Sequence, residues 1–343
     1  MGVIIPNCCK INNFNESKDQ IFFKQGHLFY NEEITDDKEK ENNNYLLSGK
    51  GKIDLEKAKI NFGNIIKYYG EILENKKIED ILEESNLFIK DIEFPQEIVD
   101  YSAPNCFISP PIRFNNGEIY QGSWNISNQR HGFGINISPE GNIFKGLWNQ
   151  DKMGSYGLLL DSKGNYYKGD LKDGKCEGKG EMVVREKSKY VGTFENDYPN
   201  GKGILENYEN KTKYDGDFVN GKKEGKGVME YEDGTVYKGD FKNDQFEGNG
   251  VLKFPNGNKY EGEFHGIIHG KGKFTWGDGK TYIGQYEDFM RKGFGKFYWN
   301  DNKYYEGQWL NNKQHGKGII HYDGKEVNGL FRFGKIIKEN KIE

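Results

Sequence analysis

The stretch YKGDFKNDQFEGNGVLKFPNGNKYEGEFHGIIHGKGKF, residues 237–274, decides the fold because it states one pattern twice. The pentapeptide YKGDF at 237–241 returns as YEGEF at 260–264. Alternation with a period of two places the two aromatic residues and the glycine of each pentapeptide on one face of a β-strand. Repetition at a fixed distance is typical of a chain that is built from stacked units. The stretch therefore predicts repeated β-strands.

The glycine of this pentapeptide recurs along the chain at intervals of 22 to 24 residues. The ten repeat glycines are Gly122, Gly146, Gly169, Gly192, Gly216, Gly239, Gly262, Gly284, Gly307 and Gly329. All copies but the second and the last continue into a Gly-x-Gly segment that alternates again, and Asn-Gly or Asp-Gly pairs lie between segments, as in β-hairpins. The pattern predicts an all-β repeat array, an elongated single-layer antiparallel β-hairpin meander of about ten repeats, with a short, mainly helical N-terminal region.

Glycine between two aromatic residues leaves a gap that is the size of a side chain on that face of the strand. A ring from the neighbouring strand can lie over such a glycine. One aromatic face must then be covered by curling, by the N-terminal region, by a partner or by self-association. We therefore predict that the aromatic residues line a partner-binding groove, and the candidates are Tyr120, Trp124, Tyr214, Tyr237, Phe241, Tyr260, Phe264, Tyr282, Tyr305 and Trp309.

The composition divides the chain into four segments. Residues 1–53 are polar, and we expect them to be partly disordered and to carry a possible lipid anchor. We expect residues 111–334 to form the array and residues 335–343 to form a tail. Residues 54–110 are a helical cap or docking segment, because apolar residues such as Ile65, Tyr69 and Ile72 follow the helical period within 54–84. A helix here either covers the first hairpin or docks a partner.

Charge and cysteine content narrow the class of protein. The net charge is −4 and acidic and basic residues are interspersed, which does not favour nucleic-acid binding. Four scattered cysteines indicate no disulfide framework and favour a reducing, cytoplasmic location. No run of 18 apolar residues is present, so we expect no transmembrane helix.

The pattern Tyr-x-Gly-x-Trp/Phe followed by Gly-x-Gly, at a period near 23 residues, resembles the MORN repeat (membrane occupation and recognition nexus). The resemblance covers residues 114–334, and Leu171 and Val327 depart from the usual aromatic residues. Members of this family are elongated scaffolds of membrane-linked cytoskeleton and cilia, often as dimers. The resemblance thus implies protein partners, a homodimer and a place at a peripheral membrane, cytoskeleton or cilium.

No segment predicts an active site, a cofactor or a metal centre. The sequence GKT at 279–281 lacks the upstream glycine of a phosphate-binding loop, and the Gly-x-Gly units recur in every copy, which favours a role in backbone curvature. His265 and His269 stand four apart but in a hairpin turn without a third ligand. Acidic residues beside the repeat glycines, such as Asp217 and Glu263, are expected to face solvent. We therefore predict that the chain is not an enzyme.

The first ten residues, MGVIIPNCCK, carry candidates for acylation. Gly2 could be myristoylated and Cys8 and Cys9 could be palmitoylated, although Pro6 stands where serine or threonine is expected. Stable anchoring needs two or more such groups. The unmodified terminus is the alternative.

The sequence leaves three functions open. The leading hypothesis is a non-catalytic scaffold that binds protein partners and tethers them to a membrane or to cytoskeletal or ciliary structures. The second is a phosphoinositide- or membrane-binding module that uses Lys238, Lys242, Lys253 and Lys259, whose charge acidic neighbours nearly cancel. The third is a regulatory subunit that docks a separate enzyme.

Overall fold

A computed structural model describes residues 47–48, 70–73, 78 and 92–340. The chain forms two compact units, Met1–Asn200 and Gly201–Glu343. The acylation candidates Gly2, Cys8 and Cys9 lie outside the described residues. No helix among the described residues is long and apolar enough to cross a membrane.

The first unit consists of antiparallel strands and one short helix, α1 (Gln96–Val99). Its strands are β1 (Leu47–Ser48), β2 (Gly70–Ile72), β3 (Cys106–Ile108), β4 (Ile112–Phe114), β5 (Ile119–Asn125), β6 (Arg130–Ile137), β7 (Ile143–Asn149), β8 (Lys152–Leu160), β9 (Tyr166–Lys172), β10 (Lys175–Val184) and β11 (Ser188–Glu195). From β5 to β11 each strand pairs with the next in the chain.

The second unit repeats the same arrangement, and no helix is found among its described residues. Its strands are β12 (Tyr198–Asn207, whose first three residues belong to the first unit), β13 (Thr212–Val219), β14 (Lys222–Tyr231), β15 (Val236–Lys242), β16 (Gln245–Lys253), β17 (Lys259–Thr275), β18 (Thr281–Glu287), β19 (Met290–Asn300), β20 (Lys303–Leu310), β21 (Lys313–Tyr322), β22 (Lys325–Arg332) and β23 (Lys335–Asn340). The predicted all-β hairpin meander is therefore confirmed in both units.

Strand register places the repeat glycines opposite one another. Gly239 in β15 lies opposite Gly227 in β14 and Gly250 in β16. Gly239 lies opposite Gly250 but Asp240 lies opposite Glu247, so β16 has a β-bulge at Gly248 and Asn249. Bulges bend and twist a strand, so the expected link between the Gly-x-Gly segments and backbone bending is supported at this point.

Hydrogen bonds between turns join successive hairpins in a ladder with a step of 21 residues. The carboxylate Oδ1 of Asp244 accepts the backbone N–H of Lys223 at 2.9 Å, while the Asp244 N–H donates to the Lys223 carbonyl at 3.1 Å. Asp151 and Asp197 form the same pair of bonds with residues 130 and 176, as Asn312 does with residue 291. Each such turn is completed by the hairpin that precedes it.

The N-terminal region differs from the predicted helix where it can be compared. Residues 70–72 form strand β2, which pairs antiparallel with β4. Gly70 is a poor helix former, and the edge of β4 offers hydrogen-bond partners to an extended backbone. Leu73 is not helical, Ile78 is helical, and the other residues of 54–84 lie outside the described residues.

Apolar residues of this region cover the face of the first unit that is opposite the repeat tyrosines. Ile78 is buried in a cluster with Ile119, Ile137, Ile143 and Leu160, and Leu73 and Ile92 pack against it. The ring of Phe94 also contacts Phe133 and Tyr156, at centroid distances of 6.1 and 5.7 Å. These residues of the N-terminal region therefore pack against the first unit.

At the other end of the chain, the strands extend past the predicted end of the array at residue 334. Strand β23 pairs with β22, with Phe331 opposite Ile336. The degenerate last copy therefore has a second strand, although it lacks a second Gly-x-Gly segment. The missing glycines concealed this strand because extended backbone at an edge needs no repeat glycine.

Candidate functional site

The repeat tyrosine covers two glycines, as the alternation predicts. Tyr237 has no exposed surface, and its ring lies over Gly239 of its own strand and Gly250 of the next. A Cβ atom added at Gly250 would approach the ring atoms Cε2 and Cζ of Tyr237 to 2.6 and 2.7 Å, closer than real Cβ atoms come. These two positions therefore require glycine.

The hydroxyl of each repeat tyrosine has a backbone partner. The Tyr237 hydroxyl donates to the carbonyl of Asp240 at 2.9 Å, at the β-bulge where the strand pairing shifts. Eight tyrosines make this bond to the residue three positions on, at 2.6 to 3.1 Å: Tyr120, Tyr167, Tyr190, Tyr214, Tyr237, Tyr260, Tyr282 and Tyr305. The bond satisfies a carbonyl at an irregular point of the ladder, which explains tyrosine rather than phenylalanine.

The polar residue after the repeat glycine holds the next strand. The Asp240 carboxylate accepts the backbone N–H of Asn249 at 3.2 Å, directly after Gly248, whose φ is +62°. Asp217 and Glu263 do the same for Lys226 and Lys271, both at 3.1 Å. The expectation that these acidic side chains merely face solvent is therefore corrected, because the bulge leaves a backbone N–H that needs an acceptor.

The structure places the ten candidates for a partner-binding groove inside the array. Each is at most 6% exposed: Tyr120, Trp124, Tyr214, Tyr237, Phe241, Tyr260, Phe264, Tyr282, Tyr305 and Trp309. The rings contact one another edge to face, as Tyr237 does with Phe241 and Phe264 at 5.2 and 4.9 Å. Burial raises the pKa of Tyr305 to about 12. These nearly buried rings pack the sheet, and their contact with a partner stays a prediction.

A second set of aromatic residues on the same face remains half-exposed in the second unit. Met229 lies opposite Tyr214 and Tyr237, so two residues further along β14 Tyr231 points to the ring face. The equivalent residues at the ends of the following Gly-x-Gly strands are also aromatic. We call this set the aromatic row: Tyr231, Phe254, Trp276, Trp299 and Tyr322.

The aromatic row is supported by ring contacts beneath it. Phe274 contacts Phe254 and Trp276 at 6.3 and 4.6 Å, and Phe297 contacts Trp276 and Trp299 at 5.3 and 5.1 Å. The middle of the row is therefore continuous and held in place. Tyr231 and Tyr322, at its two ends, are each 37% exposed.

Two cations lie on this surface. The guanidinium of Arg291 is 5.6 Å from the ring centre of Trp276 and 5.4 Å from that of Phe297, and Lys303 Nζ is 5.3 Å from the ring of Trp299. Burial lowers the pKa of Arg291, which is held by hydrogen bonds to Asn312. Cations over rings add polar donors to an otherwise apolar surface.

The tryptophans divide into two groups by their indole N–H. Trp124, Trp148 and Trp309 donate Nε1–H to Ser109 Oγ, Gly134 O and Gly295 O at 2.9, 3.4 and 3.1 Å. Among the described residues, no acceptor contacts Nε1 of Trp276 or Trp299. A half-exposed indole without a protein acceptor can donate to a ligand.

The sequence contains a signal for the aromatic row that the prediction did not use. The alternation beyond Gly-x-Gly, as in GVMEY at 227–231 and GKFYW at 295–299, continues to a second aromatic residue. The corresponding positions of the preceding copies are Ser138, Asp161, Val184 and Asn207, so the row begins at Tyr231 in the second unit. The prediction selected the aromatic residues that recur most regularly, and these are the rings that fill the core.

The histidine pair lies within strand β17 and not in the predicted hairpin turn, and each ring faces a carboxylate. The rings of His265 and His269 are 6.3 Å apart, with Nδ1 atoms 3.2 Å from Glu247 and 3.7 Å from Asp288. In the described part of the chain no three His, Cys, Asp or Glu residues form a group that could hold a metal ion. Of the lysines considered for lipid binding, Lys259 pairs with Glu261 at 2.8 Å.

The turn at Phe289 keeps only half of the pair of hydrogen bonds described above: the Phe289 N–H donates to the Ile268 carbonyl at 2.9 Å. Phe289 occupies the position of Asp244, with φ of +65° and 52% of its surface exposed, and its ring cannot accept a hydrogen bond. We expect Phe289→Asp to raise the free energy of unfolding by about 1 kcal/mol. Aspartate adopts the left-handed backbone conformation at lower cost than phenylalanine, and its carboxylate would accept the N–H of Ile268. Thermal unfolding would measure the gain. Phe289→Leu supplies no acceptor and should bring no gain; an equal gain from both variants would contradict the explanation.

The fold and this surface define the class of protein: a repeat array of antiparallel hairpins in which tyrosine rings lie over paired glycines. The model of the MORN repeat matches eight segments, at residues 120–143, 167–183, 190–207, 214–236, 237–259, 260–281, 282–304 and 305–325. The chain therefore belongs to the MORN-repeat family. The two degenerate copies, at Phe144 and Val327, lie outside the matched segments but form strands β7 and β22.

The other comparisons give weaker similarities. No curated protein matches the chain. Solved structures with similarity include the TCP domain of Drosophila melanogaster SAS-4 (dCPAP) in complex with a proline-rich motif of Ana2 (dSTIL), at 14% identity and a TM-score of 0.23, covering 52% of this chain and 85% of that one. The G-box domain of the microcephaly protein CPAP has 11% identity, a TM-score of 0.26 and coverages of 59% and 100%. A mutant TCP10 domain of Danio rerio CPAP has 10% identity, a TM-score of 0.22 and coverages of 68% and 100%. Scores at this level carry no argument about this chain.

Proposed function

We propose that the chain is a non-catalytic scaffold and that it binds a protein partner through the aromatic row. The observation that supports this proposal is the contrast between ring sets on one face. The repeat tyrosines are completely buried, whereas the row is exposed at its two ends, Tyr231 and Tyr322, and half-buried in its middle, where ring contacts support it. Exposed aromatic residues on a rigid surface are typical of protein-binding sites.

Photo-crosslinking tests this proposal directly. A photoreactive phenylalanine analogue would replace Phe254 or Trp299 in the row. Ile283 and Phe294 are the control positions, because they are 46% and 54% exposed on the opposite face of the second unit. We expect the two row positions to capture the same protein in the cells that express the chain, and the control positions not to capture it. Capture of that protein from all four positions, or from neither row position, would contradict the proposal.

The proposal includes attachment to a membrane, cytoskeletal or ciliary structure from the cytoplasm, with Gly2, Cys8 and Cys9 as the acylated residues. Two acyl chains would anchor the scaffold stably, whereas one would bind only marginally. Vesicle flotation of the cell-derived protein, with and without residues 1–12, tests this part. Flotation that survives the deletion would assign membrane binding to the array instead, as the phosphoinositide alternative requires.

Self-association is a further part of the proposal. Strand β23 is the last described strand, and Ile336 and Ile337 are 37% and 56% exposed on it. An edge strand with exposed apolar side chains can pair with a second copy. Sedimentation equilibrium should show a dimer for the full chain and a monomer for Ile337→Lys. A monomeric wild-type chain at concentrations well above those in cells would contradict the proposed self-association.

A further inference from the structure

We infer that the aromatic row recognises a proline-rich segment in the polyproline II conformation, lying across the strands of the second unit. This inference rests on the proposed function and names the chemistry of the partner. Three properties of the row support it: the spacing of its members, the free indole N–H groups and the cations beside them. Each is a property of described residues in Gly201–Glu343.

The spacing of the row is set by the hairpins. One repeat contributes two strands, and neighbouring strands lie about 4.8 Å apart, so consecutive row residues recur about every 9.6 Å. A polyproline II helix has three residues per turn and rises about 3.1 Å per residue, so one face recurs about every 9.3 Å. Every third residue of such a segment therefore meets the next aromatic side chain of the row.

Other peptide conformations match this spacing less well. An α-helix presents the same face every seven residues, about 10.5 Å, and would drift by about 3.6 Å over the four steps from Tyr231 to Tyr322. The polyproline II helix would drift by about 1.2 Å over the same four steps. A β-strand presents one face about every 6.6 Å, which does not match a single step. The row therefore favours a three-residue period.

The polar groups of the row fit the backbone of such a segment. A polyproline II helix has no internal hydrogen bonds, so its carbonyl groups need external donors. The indole N–H groups of Trp276 and Trp299 have no protein acceptor among the described residues, unlike that of Trp309. Lys303 Nζ, 5.3 Å from the ring of Trp299, offers a further donor beside the row. Proline rings against aromatic side chains would supply the apolar contact.

The test is fluorescence anisotropy with four labelled 15- or 16-residue probes and the full chain. (PPS)5 carries the three-residue period; (GGS)5 has the same length and charge without the conformation; (EAAAK)3 is helical; and the fourth probe is (PPS)5 with one glycine inserted after the second triplet. We expect (PPS)5 to bind about tenfold more tightly than each of the other three, because it is preorganised and in register. Equal binding of the probe with the insertion would overturn the three-residue register, and tighter binding of (EAAAK)3 would overturn the conformation.

Variants connect the binding to the row. Trp276→Phe with Trp299→Phe keeps the rings and removes both indole donors, and should weaken (PPS)5 binding several-fold. The control pair Tyr298→Phe with Tyr304→Phe removes two hydroxyl groups on the opposite face of the sheet and should leave it unchanged. Loss of binding in the control pair, or full binding without the indoles, would overturn the role of the row. Absence of (PPS)5 binding, with partner crosslinks retained at Phe254 and Trp299, would reject this inference alone; absence of the crosslinks as well would reject the proposed function too.

Discussion

Replacing Gly250 by alanine is expected to lower the free energy of unfolding of the second unit by about 3 kcal/mol. The new Cβ would lie 2.6 Å from Cε2 of Tyr237, so the ring must leave its place over Gly239 and Gly250. Its hydroxyl would then lose the Asp240 carbonyl, which it now reaches at 2.9 Å. Urea unfolding followed by circular dichroism would measure the loss.

Two comparisons separate this explanation from a general cost of alanine. Gly279 lies in a turn with φ of +89° and nothing within 4 Å of an added Cβ, so Gly279→Ala should cost only about 1 kcal/mol, for its left-handed backbone. With Tyr237→Ala in place, Gly250→Ala should cost almost nothing more, because the ring is gone. Additive losses in this double-mutant cycle would mean that the ring and the glycine do not interact as described.

Truncation of Trp309 is expected to have the largest effect among the buried side chains of the second unit, about 4 kcal/mol for Trp309→Ala. Its ring contacts Tyr282 and Tyr305 edge to face at 5.2 and 5.4 Å, and Arg291 lies 4.5 Å from its centre. The indole N–H also donates to the Gly295 carbonyl at 3.1 Å. Removal would leave a cavity, an unpaired carbonyl and a half-buried cation without its ring.

Phenylalanine at the same position provides the matched control. The repeats with Phe218, Phe241 and Phe264 use this ring at the equivalent position, so Trp309→Phe should keep the edge-to-face contacts. We expect it to cost about 1 kcal/mol, for the lost indole hydrogen bond. Equal losses for the alanine and phenylalanine variants in urea unfolding would assign the effect to the indole bond instead of the packing.

The sequence predicted the repeated hairpins and the rings over glycines because both follow from a period of two and a spacing near 23 residues. It did not predict the role of the tyrosine hydroxyl, since the carbonyl of Asp240 becomes available only at a β-bulge that the residue pattern does not specify. The acidic side chains at Asp217 and Glu263 were missed as backbone acceptors for the same reason.

The candidate site could be predicted only in part. Repetition identified the rings that fill the array, but function needs exposed surface, which residue identity alone does not give. The exposure of Tyr231 and the free indoles of Trp276 and Trp299 depend on their place at strand ends. Tyr231 and Trp299, for example, lie two residues beyond the buried Met229 and Phe297. The strand at 70–72 was missed because the local residue pattern is helical. That pattern carries no information about the pairing with β4, which forms the strand.

The hydrogen bonds that link these turns to the residue 21 positions earlier have a consequence for how the length of the array can change in evolution. A deletion that ends within a hairpin leaves the Asp244 carboxylate or the Lys223 amide without its hydrogen-bond partner. Loss or duplication of one full copy forms the same hydrogen bond again. Changes in array length should therefore be inherited in whole multiples of the period. Shortened and lengthened forms of this chain should fold when they differ by a whole number of repeats. Other length changes should leave a frayed hairpin.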